Sequence, residues 1–132
     1  MDRGIWRKDG LLIPLLVASG VKIYGGNMVA INEDGFAGPA DAGTDTDNLA
    51  VIGLADEFVD NTDGADGDAT VLVQRGAAFC LANSSAKPVG QTQVGRRCQV
   101  VDSVTVGIDA AALRTAGTVI EVSPDGVWVF IS

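Results

Sequence analysis

Four aspartates and two glycines lie close together in the stretch FVDNTDGADGDATVLVQRG, residues 58–76, between two apolar runs. The aspartates are Asp60, Asp63, Asp66 and Asp68. A calcium loop of the EF-hand type needs oxygen ligands at positions one, three and five, glycine at six and a bidentate Glu at twelve. With Gly64 at position six, Val59 occupies position one; with Gly67 there, Thr62 occupies position one and Val73 position twelve. Both registers fail, so we interpret the stretch as a solvated loop joining two strands, with a weak, low-affinity cation contact as the alternative.

Paired carboxylates could instead act as a general acid and a general base. Further candidates for such a pair are Asp45, Asp47, Asp56 and Glu57. Most of these residues fall in predicted loops without the aromatic neighbours that form a substrate-binding wall, which favours solvated charge. The chain has no histidine, which excludes Ser-His-Asp triads, Cys-His pairs and His-ligated metal sites. We therefore predict that the protein is not an enzyme and has no catalytic, metal-binding or cofactor-binding residue.

The overall charge limits the class of partner. The chain has 132 residues and a formal net charge of −8. Its few basic residues are scattered apart from Arg7 with Lys8 and Arg96 with Arg97, whereas phosphate binding needs clustered Lys and Arg. We therefore expect no nucleic-acid partner.

The two cysteines, Cys80 and Cys98, lie in separate predicted strands. Buried free thiols are the favoured state for a chain with so few cysteines, and a disulfide is the alternative. Neither thiol has a histidine to activate it as a nucleophile.

The elements that must position these side chains are short strands. Apolar runs alternate with Gly- or Asp-containing reversals, and 17 glycines with few aromatic residues favour an all-β domain. We predict a single compact β-barrel or β-sandwich of about eight to nine short antiparallel strands with an N-terminal arm. The predicted strands are Val21–Tyr24, Asn27–Ile31, Ala50–Phe58, Thr70–Arg75, Ala77–Leu81, Arg96–Asp102, Val104–Ile108, Thr118–Val122 and Val127–Ile131.

Local signals predict several connections between these strands. The glycine pair of YGGNMV predicts a tight hairpin, and NEDG at residues 32–35 predicts a reversal. An N-cap aspartate and an Ala-rich turn make a short helix possible over residues 109–117. In SPDG, residues 123–126, Pro and Gly occupy the positions that a type I turn prefers, which makes residues 118–131 a terminal hairpin.

Both faces of the last strand are apolar. Val127, Val129 and Ile131 share one face, whereas Trp128 and Phe130 share the other, because side chains alternate along a strand. Such a strand is either central in a two-layer core or covered on its outer face by a partner chain. We favour the core interpretation.

Residues 1–20 form the predicted N-terminal arm and first strand, and residues 21–132 the β domain. The start resembles a signal peptide, but Asp2 and Asp9 lie among its basic residues and Pro14 interrupts an apolar run too short to span a bilayer. We therefore expect no membrane partner. Leu11–Ala18 is expected to pack as a first core strand with Pro14 at an edge or bulge, while residues 1–10 reach a neighbouring subunit or another protein. The predicted partner interface consists of Ile5, Trp6, Arg7, Lys8, Leu11, Leu12 and Ile13.

The order of several segments is similar to that of a known family. They are VKIYGGNMVAINEDGFAGPA, AVIGLADEFVDNTDGADGDATVLVQRGAAFCLAN, VGRRCQVVDSVTV and AGTVIEVSPDGVWVFI, which together span approximately residues 21–131. In this order and spacing they resemble the capsid cement, or head decoration, proteins of tailed bacteriophages. The resemblance implies no enzymatic motif.

The resemblance implies a structural role. Such a protein would bind the outer surface of the mature head, bridge neighbouring major capsid proteins and stabilise the expanded shell. Its partner would be the major capsid protein, and it would be a homo-oligomer, a trimer first and a dimer second. It would be made in the host cytoplasm and end in the virion.

Two other classes of function compete with this one. A carbohydrate- or calcium-binding β module without catalysis would use the acidic loops, and a small acid-base hydrolase would need converging carboxylates in a concave pocket. Fold alone does not separate them.

Overall fold

The computed structural model describes residues 12–43, 50–109 and 114–131. Within these ranges the chain is almost entirely β-structure, which confirms the predicted all-β fold. The strands are β1 (Leu12–Leu16), β2 (Lys22–Ile23), β3 (Met28–Ile31), β4 (Ala37–Pro39), β5 (Val51–Ala55), β6 (Val59–Asp60), β7 (Thr70–Gln74), β8 (Ala77–Asn83), β9 (Arg97–Asp102), β10 (Thr105–Gly107), β11 (Thr115–Ser123) and β12 (Gly126–Ile131). A single 3-10 turn spans Gln91–Gln93 in the described ranges.

The first half of the chain forms a five-stranded sheet in the order β1-β7-β5-β3-β4. Its pairings are antiparallel. Immediately after β1, Val17 forms a parallel bridge to Ala37 of β4, so that the two edges of the sheet approach each other. β2 and β6 form a separate two-stranded antiparallel sheet.

The second half closes into a barrel in the order β10-β8-β12-β11-β9. β12 is paired along its length with β8 on one side and with β11 on the other. The parallel pairing of β10 with β8 completes the barrel, so the strands are not all antiparallel as predicted. β10 pairs antiparallel with β9 on its other side.

Two hydrophobic cores lie on either side of β3. The first, here called the N-terminal core, contains Ile13, Val17, Ile23, Val29, Ala37, Ala55, Val71 and Val73. The second, the barrel core, is larger and includes Met28, Ala30, Val51, Val100, Val119, Val127 and Val129. Successive side chains of a strand point to opposite faces, so β3 contributes Val29 to one core and Met28 and Ala30 to the other.

Four elements differ from the sequence predictions: two strands, one turn and one helix. β4 and β6 were not predicted as separate strands, because they have only three and two residues and carry little periodic signal. The turn at Gly25 and Gly26 does not form a hairpin, since β2 pairs with β6 while β3 pairs with β4 and β5. The possible helix over residues 109–117 conflicts with β11, which already begins at Thr115; residues 110–113 lie outside the described ranges.

The terminal hairpin forms as predicted. β11 and β12 pair antiparallel and close at Ser123 opposite Gly126. Gly117 allows close approach of the two strands, because a Cβ at this position would lie 2.8 Å from Val129 Cγ1 and closer still to the Phe130 carbonyl oxygen. The barrel therefore needs a residue without a side chain at this position of β11.

We expect Gly117→Ala to lower the free energy of unfolding by about 1–3 kcal/mol, the usual cost of overpacking a core. Urea unfolding measures the change. Gly90→Ala is the matched control, since Gly90 has φ −108° and no atom lies within 4 Å of an added Cβ. Equal stability of the two variants would show that the close approach at Gly117 is unimportant.

Candidate functional site

The outer side of the terminal hairpin is an exposed apolar surface. Val127 and Val129 are fully buried, whereas Trp128 and Phe130 keep 38% and 39% of their surface exposed. The favoured interpretation of β12 as a strand with both faces in the core is therefore wrong. Its outer face is uncovered in the described chain, which leaves the alternative of a partner covering it.

Strand register extends this surface beyond β12. Cys80 lies opposite Trp128, and Ala78 lies opposite Phe130. On the other side of β12, Val119 lies opposite Val129 and Glu121 lies opposite Trp128, so a bulge in β11 leaves Ile120 without a partner residue. Ile120 is half exposed. We call the surface formed by Ala78, Cys80, Ile120, Trp128 and Phe130 the hairpin face.

A shallow cleft of about 290 Å³ adjoins the hairpin face at Phe130. Its walls come from the start of β5 and from β9, β11 and β12, and Arg97 is the charged residue among its lining residues. A second cleft, of about 180 Å³, contains Asp41 and the buried Arg114, whose Nη1 lies 3.5 Å from Asp41 Oδ1. Neither cleft brings two described carboxylates together, as a general acid-base pair would require.

The N-terminal interface prediction can be compared with the structure at two of its residues. Leu12 is 43% exposed, but Ile13 is 9% exposed and belongs to the N-terminal core. Ile13 is therefore wrongly assigned to a partner interface, because alternation in β1 turns its side chain inward. Ile5, Trp6, Arg7, Lys8 and Leu11 lie outside the described residues.

Pro14 lies where the sequence places it, in the edge strand β1. Val17 N–H donates to the Ala69 carbonyl at 2.9 Å. Because backbone groups alternate in direction along a strand, the nitrogen of Pro14 faces away from β7, where its missing N–H costs nothing. Leu12 and Leu16 of β1 remain exposed in the described chain, so β1 packs only part of its apolar side chains in the core.

The acidic stretch forms an exposed connection from β6 to β7, as predicted. Three of its four aspartates accept hydrogen bonds, two from donors within the loop and one from Ser19. Asp60 Oδ1 accepts from the backbone and hydroxyl of Thr62 at 3.0 and 2.7 Å, bonds that hold the pKa of Asp60 below its usual value. Asp66 Oδ1 accepts from Ser19 N–H at 2.8 Å, and Asp68 Oδ2 from Ala65 N–H at 2.9 Å.

The residue that organises this loop is Asn61, which the sequence interpretation overlooked. Its buried side-chain amide donates to the carbonyls of Val17, Ala18 and Ala65 at 3.2, 2.9 and 3.0 Å. These bonds join the acidic loop to the end of β1. The described residues contain no group of three or more acidic or cysteine side chains placed to hold a metal ion.

The two cysteines are both free thiols, and they lie in different environments. Cys80 is exposed on the hairpin face, whereas Cys98 is buried in the barrel core. Burial raises the pKa of the Cys98 thiol to about 11, because desolvation disfavours the thiolate.

No family model, curated protein or solved structure matches this chain. The described residues include no helix with the length and apolar character needed to span a membrane.

Sequence reasoning identified Trp128 and Phe130 as sharing a face but missed the other residues of the hairpin face. Cys80 and Ala78 join that face through strand pairing, which no local pattern reveals. The exposed Tyr24 and Phe58 were also missed. Both are aromatic residues beside acidic or glycine-rich turns, which was the available signal.

We expect Asn61→Ala to lower the free energy of unfolding by about 1–3 kcal/mol, since it removes the hydrogen bonds that join the loop to the end of β1 and leaves the Ala18 carbonyl without its donor. Urea unfolding measures the loss. Asp63→Asn, in the same loop, should leave stability unchanged, because the Asp63 side chain forms no hydrogen bond with the described residues.

Addition of EDTA should leave the melting temperature of the wild-type protein unchanged, because three of the four loop aspartates accept hydrogen bonds from N–H and O–H donors and the described residues form no metal-binding group. A fall of several degrees with EDTA, or an Asn61→Ala variant as stable as the wild type, would contradict this account of the loop.

The thiols should react at different rates. At pH 8 a maleimide should modify Cys80 within minutes and leave Cys98 intact. The Cys98 thiol is buried, and its pKa of about 11 keeps it protonated at this pH. Mass spectrometry of the native protein should show a single adduct, and the urea-unfolded protein two.

The raised pKa also predicts an alkaline effect. The stabilising contribution of the neutral Cys98 thiol is complete below its unfolded pKa, near 9, and is lost as the pH rises towards 11. Rapid modification of Cys98 at pH 8 without urea would contradict its place in the core.

Proposed function

We propose that this protein is a capsid cement protein of a tailed bacteriophage. In this role it binds the outer surface of the mature head and bridges neighbouring major capsid proteins. The hairpin face is the observation that carries the proposal, because it offers a rigid apolar surface to another protein. The order of sequence segments that resembles the cement proteins supports the choice of partner.

The hairpin face has the properties of a protein-binding surface. Aromatic residues, Trp and Tyr above all, contribute much of the energy at protein interfaces, and contiguous exposed apolar patches mark interaction sites. Trp128 and Phe130 project from a strand that is hydrogen-bonded on both sides and anchored by the buried Val127, Val129 and Ile131. Little conformational freedom is left for a partner to restrict when it binds there.

The charge of the chain suits a position outside the shell. A net charge of −8 disfavours contact with the packaged nucleic acid. The two described clefts lack paired carboxylates, which favours a structural role over the hydrolase. Three of the four aspartates of the acidic loop accept hydrogen bonds from nearby N–H and O–H groups, which favours a structural role over the calcium-binding module.

Selective binding to the expanded shell would stabilise that form. A ligand that binds one state alone stabilises it by about 2.7 kcal/mol per site at one hundred times its dissociation constant. A shell repeats its sites many times, so modest affinity at each site becomes a large total. Homo-oligomerisation, with a trimer as the first expectation and a dimer as the second, would multiply the contacts each cement particle makes.

We expect Trp128→Ala to weaken binding to mature capsids at least tenfold, about 1.4 kcal/mol, while the melting temperature stays close to that of the wild type. Co-sedimentation of the purified protein with expanded and unexpanded shells measures the affinity. Val104→Ala is the matched control, because Val104 is also exposed but lies in the turn between β9 and β10.

Thiol footprinting tests the same surface without a substitution. Cys80 lies opposite Trp128, so capsid binding should protect it from maleimide. Equal occupancy of expanded and unexpanded shells, or no binding to either, would contradict the proposed function. Capsid binding that leaves Cys80 reactive and is insensitive to Trp128→Ala would show that another surface makes the contact.

A further inference from the structure

A second exposed apolar feature lies on the N-terminal half of the molecule. The rings of Tyr24 and Phe58 contact each other with centroids 5.1 Å apart and an interplanar angle of 41°. Tyr24 is 55% exposed and Phe58 is 53% exposed. The pair therefore presents aromatic surface to solvent and does not serve to fill a core.

The two-stranded sheet of β2 and β6 holds the pair in place. Ile23 lies opposite Val59, and both side chains pack in the N-terminal core. Tyr24 follows Ile23 and Phe58 precedes Val59, so alternation turns both rings away from that core. The packing of Ile23 and Val59 in the N-terminal core therefore fixes the backbone from which the two rings project.

Glycine keeps the surroundings of Tyr24 open. Gly25 and Gly26 follow it directly, and no atom lies within 4 Å of the position that a Cβ of Gly26 would occupy. Gly26 adopts φ +88°, a conformation that favours glycine. A partner can therefore approach the rings across this turn.

Two acidic residues lie in the chain segment next to the rings. Asp56 and Glu57 immediately precede Phe58 and are exposed, and their backbone lies 3.8 Å from the Cβ position of Gly25. Gln74 donates its side-chain amide to Asp56. Among the described residues, neither Asp56 nor Glu57 has a cationic group within 4 Å. The nearby Lys22 lies opposite Asp60 in the β2–β6 ladder.

We propose that Tyr24, Phe58, Asp56 and Glu57 form a binding site for an arginine side chain on a basic segment of a partner protein. Aromatic faces attract a guanidinium through their quadrupole, and carboxylates accept its N–H groups. This site is separate from the hairpin face, since it rests on the other core, and it does not depend on the capsid function proposed above.

The polarity of the site favours a guanidinium over a sugar. A sugar hydroxyl both donates and accepts hydrogen bonds, whereas a guanidinium carries donors alone. Carboxylates are acceptors alone, and the Gln74 amide is already engaged with Asp56. The net charge of −8 adds long-range attraction for a basic segment.

The experiment is an NMR titration of the full chain with the peptide acetyl-Gly-Arg-Gly-Arg-Gly-amide. The ring resonances of Tyr24 and Phe58 should shift as the peptide is added and reach a plateau when the site is fully occupied. Phe58→Leu keeps an apolar side chain while removing the ring, and it should weaken binding about threefold or more, the scale of an exposed cation–π contact. Glu57→Gln should also weaken binding.

Two control variants separate this site from general attraction to an acidic protein. Phe130→Ala removes an exposed aromatic residue from the hairpin face, and Asp125→Asn removes an exposed carboxylate from the β11–β12 turn. Both should bind the peptide as the wild type does. A peptide with lysine in place of arginine should bind more weakly, because the ammonium lacks the planar fork of donors.

The proposal is overturned if Phe58→Leu binds the peptide as tightly as the wild type, or if the control variants lose as much affinity as Phe58→Leu. It is also overturned if methyl glucoside shifts the Tyr24 and Phe58 resonances while the arginine peptide does not, since the site would then bind carbohydrate. Capsid co-sedimentation of Phe58→Leu is read separately, so that failure of this site and failure of the capsid function remain distinguishable.

Discussion

The burial of β3 on both faces is the constraint on which the rest of this structure depends. Met28 and Ala30 enter the barrel core while Val29 enters the N-terminal core. One short strand thereby joins two hydrophobic clusters that would each be small for a stable domain. Each core covers only the inward side of its strands. The hairpin face lies on the outward side of the barrel strands, and the rings of Tyr24 and Phe58 lie next to β2 and β6, turned away from the N-terminal core.

The hairpin face shows how a rigid surface arises from this arrangement. β12 is paired on both sides and buries alternate valines, so its outward side chains are fixed without being covered. Close approach at Gly117 draws β11 against β12, and the adjacent bulge turns Ile120 outward. The features that stabilise the barrel therefore also present Trp128 and Phe130 to a partner.

Charge in this protein has more than one role. Asp60, Asp66 and Asp68 serve the fold, because they accept hydrogen bonds from nearby N–H and O–H groups. The buried Asn61 stabilises the same loop by donating hydrogen bonds to three backbone carbonyls. By contrast Glu57 lies in the exposed turn before Phe58 and forms no ion pair within the described residues. The aspartates of the β6–β7 loop thus stabilise the fold, whereas Glu57 belongs to a candidate recognition surface.

The sequence by itself determined the all-β class, the terminal hairpin closed by the SPDG turn and the two faces of β12. These features follow from local chemistry, since proline and glycine set turn geometry and side chains alternate in every strand. Tertiary structure alone decided that the outer face of β12 is uncovered and that Cys80 lies beside Trp128. It also decided that β2 pairs with β6 and that Asn61 is buried. Periodicity shows which side chains share a face, but what lies against that face depends on strand pairings between residues distant in the chain.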